Sequence, residues 1–301
     1  MPDNKKAMVM AAFIADALSL GVHWVYNTDV IVKKFGRVET FLEPKIASYH
    51  RGKPAGAFTH YGDQTLLLLE ILAAAPFEIS RFANAWRTYM QSYEGYMDRA
   101  SKRTLTHFGT GAALTEVGSN SDELGGASRI APLVYCYADD ENILAAAARA
   151  QTRLTHNHPQ VIDAAEIFAR AARAVLKGIT PVTALERAVD PFKSDHPYAE
   201  WFEEGVDSAG LDTMTVIKDM GQMCEIEAAF PATVHLVAKY ENDLTTGLIE
   251  NVMAGGDSSA RGLLAGMLLG AHNGVAMIPS QWQKALVAEK KISALLAAID
   301  A

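Results

Sequence analysis

Segments with helical periodicity follow one another almost without interruption, and this feature limits the possible folds more than any other. The predicted helices are residues 5–22, 64–75, 79–93, 108–117, 142–151, 158–177, 181–189, 197–206, 213–218, 225–238, 243–253, 258–274 and 279–297. No convincing period-two strand is found, and the one short run with β character, residues 134–137, fits a helix equally well. The pattern therefore predicts an all-α fold.

The irregular stretches are too few and too short to divide the chain. Residues 36–62 form the longest of them, and a loop of this length in a compact domain is more often functional than idle. A second loop covers residues 118–126, while the acidic stretch 190–212 is too short for a domain linker. Half of the 301 residues are hydrophobic, which is ample for a large core. We predict a single domain over residues 1–301.

Composition excludes several classes of partner. The net charge is -8, and no run of Lys or Arg is long enough to form a basic face for nucleic acid. The apolar stretch 7–22 is interrupted by Asp16, and no window reaches the roughly 18–20 uncharged apolar residues of a membrane span. Cys136 and Cys224 are isolated, which predicts free thiols in a reducing compartment. We expect a soluble cytoplasmic protein with no nucleic-acid or membrane partner.

Two glycines and three small polar residues, GGDSS at 255–259, precede an apolar helix. Asp257 is a good N-cap residue, and the free amides of a helix N-terminus favour an anion or metal-bound oxygens. A glycine turn followed by an N-cap, without any ligand, explains the same residues. In the following helix Gly262, Gly266 and Gly270 are spaced four apart, which predicts a close helix-packing seam.

A second loop-to-helix junction is THYGDQT at residues 59–65. Asp63, Gln64 and Thr65 offer a carboxylate, an amide and a hydroxyl in the first turn of an apolar helix. This all-oxygen set suits a hard cation such as Mg²⁺. The alternative is again an N-cap, with Asp63 as the capping residue.

Asp16 lies in an otherwise apolar helix, where a carboxylate is costly to bury unless it is paired. Arg129, in GGASRIAP at residues 125–132, is one candidate partner, and a structural salt bridge would explain both residues. His156 and His158 do not form a metal pair on a helix, because positions i and i+2 do not share a face. His158 precedes Pro159, which favours a helix-entry position.

Taken in order, these segments resemble the ADP-ribosylglycohydrolase family. The matching segments are ADALS at 15–19, GDQT at 62–65, GGASRIAP at 125–132, THNHP at 155–159, GGDSSA at 255–260 and GAHNG at 270–274. The resemblance runs from about residue 10 to the C-terminus. It implies an all-α orthogonal bundle with a central cleft, in which two Mg²⁺ ions hold a ribose-containing substrate for hydrolysis of its glycosidic bond.

The metal-ligand set that the resemblance implies is only partly present. Asp63 and Asp257 match the first aspartate of the early and the late loop. Five positions depart from the family pattern. Gly62 and Ala260 occupy positions where the family has threonine, Gln64 and Ser259 replace aspartate, and His23 replaces an acidic residue. Two carboxylates lack the charge to hold two divalent ions against their mutual repulsion. We therefore expect at most one Mg²⁺, held by Asp63 and Asp257.

The resemblance implies a hydrolase of a glycosidic bond to a ribosyl or ADP-ribosyl group, acting on a small molecule or an ADP-ribosylated substrate. Asp63 and Asp257 would bind the ion or act as base and electrostatic support. His23 or His60 would transfer protons, because histidine titrates near neutral pH. The residues expected to contact the substrate are Asp16, His60, Gln64, Thr65, His156, Ser258 and Ser259.

Two other functions stay open at this point. The loss of metal ligands favours a pseudoenzyme that binds ADP-ribose or a nucleotide-like ligand without turnover. Crystallin-like members of the family suggest a purely structural role.

Overall fold

The computed structural model describes residues 2–46, 49–194 and 197–301. Within these ranges the chain forms sixteen α-helices and four short 3-10 helices, and extended backbone pairs only in two isolated bridges. The α-helices are α1 (Pro2–Ser19), α2 (Thr28–Phe35), α3 (His60–Ala74), α4 (Ile79–Gln91), α5 (Arg99–Gly109), α6 (Ala131–Tyr137), α7 (Glu141–Arg153), α8 (Pro159–Leu176), α9 (Pro181–Val189), α10 (Tyr198–Asp207), α11 (Thr213–Met220), α12 (Ile226–Lys239), α13 (Leu244–Met253), α14 (Ser258–Asn273), α15 (Ser280–Ala285) and α16 (Glu289–Asp300). The all-α prediction is confirmed.

Helices α1 and α14 form the centre of the molecule and are buried along most of their length. The glycines of α14 face the small residues of α1. A Cβ on Gly266 would lie 2.7 Å from the Ala11 carbonyl oxygen, and a Cβ on Gly270 would lie 2.6 Å from the Ala11 Cβ. Such distances leave no room for a side chain, so the predicted packing seam is confirmed.

The other helices cover this central pair in layers. Helices α8, α12 and α13 pack on α14, while α7 and α9 pack on α8 and α10 packs on α12. Helix α3 contacts α1, α14 and α16, which brings its first turn close to the first turn of α14. None of the described helices combines the length and the apolar content that a membrane span requires.

Side-chain caps fix many of the helix starts, because an oxygen at the N-cap accepts from an otherwise unpaired amide. Capping side chains of this kind are Asn27, Thr59, Glu78, Asp98, Asp140, Asp212, Asp243 and Asp257. The expected capping role of Asp257 is confirmed. The role suggested for Asp63 is wrong, because Thr59 caps α3 and Asp63 lies inside the first turn.

Several helix predictions are also wrong in position. The predicted helix 108–117 is replaced by α5, which starts at Arg99 because Asp98 caps it, and the chain turns after Gly109 with a positive φ at Gly111. The predicted helix 279–297 is split into α15 and α16, since the Val287 amide leaves the helical pattern to bond the Gly56 carbonyl at 3.0 Å. Helix α2 was not predicted.

Candidate functional site

The loop before α14 and the end of the α1 segment are joined by backbone hydrogen bonds. The Trp24 amide donates to the Gly256 carbonyl at 2.9 Å, and the Gly256 amide donates to the Val25 carbonyl at 3.0 Å. Gly255 and Gly256 both have a positive φ, which a residue with a Cβ adopts only at a cost. This junction places His23 beside Asp257.

Asp257 is fully buried at the N-terminus of α14. Its Oδ1 accepts from the Ala260 amide at 3.2 Å, and its Oδ2 accepts from the Tyr61 hydroxyl at 3.3 Å. Nδ1 of His23 lies 3.7 Å from Oδ1. Burial raises the pKa of Asp257 to about 6, although the Ala260 hydrogen bond and Arg261 oppose the shift. The carboxyl group can therefore change protonation state near neutral pH.

Asp16 is also fully buried, and its partners are hydroxyl and amide groups. It accepts from the Thr59 amide at 2.8 Å and the Thr59 hydroxyl at 2.6 Å, and the Ser259 hydroxyl donates to it as well. Burial raises the pKa of Asp16 in spite of these bonds. The suggested salt bridge with Arg129 is wrong, because Thr59 and Ser259 already satisfy the carboxylate.

Arg129 instead belongs to a network around Gln64. Its guanidinium donates to the Gln64 side-chain oxygen and to the Thr155 hydroxyl. The same Gln64 oxygen accepts from the Trp86 indole at 2.8 Å, so this amide is fully engaged by the protein. His156 lies at the edge of this network, with Nδ1 2.9 Å from the Thr155 hydroxyl.

The remaining predicted residues of α3 and α14 differ in their surroundings. Asp63 is only partly buried and is bound by the Lys53 ammonium and the Tyr93 hydroxyl. The Thr65 hydroxyl donates back to the Tyr61 carbonyl at 2.8 Å. The buried Ser258 hydroxyl has no hydrogen-bond partner in the described part of the chain. Asp63 and Asp257 therefore lie in separate polar networks.

His23, His50 and His60 form a buried cluster of three imidazole rings, which we call the histidine cluster. The ring centroids lie 5.4 to 6.0 Å apart. Trp24 and Tyr96 line the histidine cluster, and Trp24 is the only non-glycine residue of the described chain with a positive φ. Nε2 of His60 lies 3.3 Å from a carboxylate oxygen of Asp98. The positive φ of Trp24 is an uncommon backbone conformation, and such conformations often mark a functional site.

Two cavities border the polar networks. One, of about 370 Å³, contains His50 in its lining, together with Tyr49, Arg51, Gly52, Lys53, Glu94, Gly95 and Tyr96. The other, also of about 370 Å³, is lined by Glu123, His158 and residues around them. A larger cavity of about 540 Å³ lies between α9 and α10 and includes no residue of these networks. The first of these cavities therefore borders the histidine cluster at His50.

Comparison with known proteins agrees with this fold. The family model described as ADP-ribosylglycohydrolase matches residues 3–300. The chain belongs to the ADP-ribosylglycohydrolase family. It is similar to crystallin J1A of Tripedalia cystophora, with 25% identity over 93% of this chain and 91% of that protein. It is also similar to an uncharacterized protein of Archaeoglobus fulgidus, with 24% identity over 95% of this chain and 92% of that protein.

A solved structure of an ADP-ribosylglycohydrolase-related protein complex has the same fold. The TM-score is 0.75 at 23% sequence identity, and the match covers 99% of this chain and 97% of that chain.

The structure explains one departure from the family pattern. Gly62 stands where the family motif has a threonine, and a Cβ there would collide with the carboxylate of Asp16. A glycine at this position is therefore required by the way Asp16 is buried in this chain.

Sequence reasoning missed His50, Lys53, Tyr93, Tyr96 and Asp98. The available signal was the length of the loop 36–62, which contains His50 and Lys53. The sequence around Tyr93, Tyr96 and Asp98 contains no pattern indicating that these side chains approach α3. Their position depends on how α4 and α5 pack.

Proposed function

We propose that this member of the ADP-ribosylglycohydrolase family hydrolyses a glycosidic bond to a ribosyl or ADP-ribosyl group of a small molecule or a modified side chain. The observation that carries the proposal is the contact between His23, Asp257 and Tyr61 at the N-terminus of α14. These residues are distant in sequence. Asp257 belongs to the GGDSSA segment at 255–260, and Tyr61 directly precedes the GDQT segment at 62–65.

Asp257 is suited to act as the general base. It would take a proton from the attacking water, because a pKa of about 6 leaves it ionised at neutral pH and still basic enough to accept a proton. Attack on a glycosidic carbon passes through an oxocarbenium-like transition state, which a nearby negative charge stabilises. Asp16 is the second buried carboxyl group at this end of α14 and would contribute to that stabilisation when ionised.

The residues present do not fit a Mg²⁺ site of the family type. Mg²⁺ requires oxygen ligands in a near-octahedral arrangement. Asp63 is neutralised by Lys53, and the Gln64 oxygen accepts from Arg129 and Trp86. No step of the proposed reaction therefore uses a Mg²⁺ ion.

The test is turnover by the purified full chain and by Asp257→Asn. Release of ribosyl product is followed with ADP-ribosylated arginine, ADP-ribosylated serine and nucleosides as substrates. We expect Asp257→Asn to lower kcat by about 100-fold or more, the usual contribution of a general base. The matched control is Asp243→Asn, which changes the exposed N-cap of α13 in the same way. Equal kcat for both variants would contradict the role of Asp257.

One observation favours a second function, the binding of ADP-ribose without turnover. Gln64 lies at the position of an expected metal ligand. Its side-chain oxygen accepts hydrogen bonds from Arg129 and Trp86 and so stabilises the fold. If ADP-ribose raises the melting temperature while no substrate class yields product, this second function replaces the first.

A further inference from the structure

We propose that His23, His50 and His60 bind one transition-metal ion, with Zn²⁺ preferred. One ring nitrogen from each residue can be chosen so that the three atoms lie within 4.8 Å of one another. Among the described residues, no other set of three His, Cys, Asp or Glu side chains meets this criterion. A tetrahedral ion with Zn–N distances of about 2.1 Å separates its ligand atoms by about 3.4 Å. Binding of an ion therefore requires the three ring nitrogens to move closer together.

The ring nitrogens of these residues lack the partners that buried polar atoms normally have. All six are shielded from solvent, and none meets hydrogen-bond geometry within the described chain, although Nε2 of His60 lies 3.3 Å from a carboxylate oxygen of Asp98. Buried polar groups are otherwise nearly always satisfied, and an exception indicates a ligand or an ion. The exceptions at His23 and His50, whose rings lie next to each other and to the ring of His60, indicate a shared ligand.

The protonation state of the rings supports metal binding. Burial lowers the pKa of His50 to about 2, with His60 and Lys53 adding to the effect. Burial also lowers the pKa of His23 well below its ordinary value. Neutral imidazole is the form that binds a metal, so these two rings need not lose a proton at neutral pH.

A carboxylate lies close to one ring nitrogen in two of the three histidines, as is common at zinc sites. Asp98 faces Nε2 of His60 at 3.3 Å, and Asp257 faces Nδ1 of His23 at 3.7 Å. Such partners orient the ring and leave its other nitrogen as the metal ligand. His50 lines a cavity of about 370 Å³, which provides an entry path and space for a water molecule as the fourth ligand.

The ligand type determines which ion is expected. Imidazole nitrogens suit Zn²⁺ and neighbouring transition metals, whereas Mg²⁺ prefers oxygen. The carboxylate pattern expected from the family is incomplete in this chain, and His23 of the histidine cluster lies beside Asp257. The proposal does not depend on the hydrolase activity, because metal binding can be measured without turnover.

The experiment is calorimetric titration of the EDTA-treated full chain with Zn²⁺ and with Mg²⁺. We expect one Zn²⁺ per chain, a rise in melting temperature with Zn²⁺, and no such binding of Mg²⁺. His50→Gln should weaken Zn²⁺ binding by more than about 100-fold, since loss of an outer-shell partner alone costs about 10- to 100-fold. His235→Gln is the matched control, because it removes another buried histidine and should leave the affinity unchanged.

Circular dichroism establishes that each variant is folded, and His23→Gln provides a second ligand variant. The proposal is overturned if the folded wild-type chain binds no Zn²⁺, or if both ligand variants keep the wild-type affinity. It is also overturned if Mg²⁺ binds as tightly as Zn²⁺ and Asp63→Asn abolishes both. A chain that binds Zn²⁺ as expected but cleaves no glycoside would refute only the proposed hydrolysis.

Discussion

The histidine cluster can be compared with His235 on α12, because both regions bury imidazole rings. Nδ1 of His235 lies 2.9 Å from the Ser208 hydroxyl, and its Nε2 lies 3.0 Å from the Thr213 hydroxyl. In the part of the chain that the structure describes, the rings of His23 and His50 have no such partners, and His60 lies 3.3 Å from the Asp98 carboxylate. Burial is therefore common to both regions, and hydrogen-bond satisfaction separates them.

The difference separates a structural histidine from a candidate ligand. A buried ring with two hydroxyl partners contributes to folding, whereas a buried ring without partners costs stability. Unfavourable arrangements of this kind are kept where function requires them. The predictions below follow from this contrast, from the largest expected effect to the smallest.

Gly62→Ala should disrupt the polar groups that surround the histidine cluster. The new Cβ would overlap the Asp16 carboxylate and lie 2.8 Å from the Cβ of Phe58. We expect the free energy of unfolding to fall by about 3 kcal/mol, as for an overpacked core. The measurement is urea denaturation at pH 7.5. Gly109→Ala is the control, since a Cβ there meets no atom within 4 Å, and equal losses would contradict the explanation.

The region around His235 should contribute a clear dependence of stability on pH. Burial lowers the pKa of His235 to about 4, with Lys239 adding to the effect and Asp212 opposing it. Because the folded state resists protonation, stability is lost as pH falls below the ordinary value of 6.5. Between pH 6.5 and 5.0 we expect a loss of up to about 2 kcal/mol. Urea midpoints at both pH values give the loss. His235→Gln should reduce it and leave the part due to His23 and His50, whose pKa values burial also lowers; a loss of the same size in His235→Gln would refute the assignment to His235.

Replacement of His235 by leucine should also destabilise the region around this ring. His235→Leu leaves the Ser208 and Thr213 hydroxyls without their imidazole partner, and we expect a loss of about 1.5 kcal/mol at pH 7.5. Chemical denaturation of the EDTA-treated protein measures it. A gain in stability would show that these hydrogen bonds contribute nothing.

In the histidine cluster, loss of an imidazole ring should raise the free energy of unfolding instead of lowering it. His50→Leu replaces a ring with two unsatisfied nitrogens by an apolar side chain of similar size, so we expect a gain of about 1 kcal/mol in EDTA. In excess Zn²⁺ the wild type should become the more stable of the two. A loss in EDTA equal to that of His235→Leu would remove the distinction between the two regions.

The sequence by itself determined the all-α class, the glycine seam between α1 and α14, and the capping role of Asp257. Each of these depends on residues within one or two helical turns, or on a repeat along one helix face. The family motifs also indicated which segments lie near α14. The missed helix α2 and the displaced α5 show that short helices at loop borders depend on local caps that periodicity does not detect.

Only the tertiary structure decided which polar groups meet. Asp16 finds its partners 43 and 243 residues away, at Thr59 and Ser259, and not at Arg129. The ring of His50 meets the rings of His23 and His60, although 27 and 10 positions separate them in sequence. Periodicity and spacing carry information about neighbours in sequence, whereas partner choice depends on the packing of distant helices and on the desolvation of each polar atom.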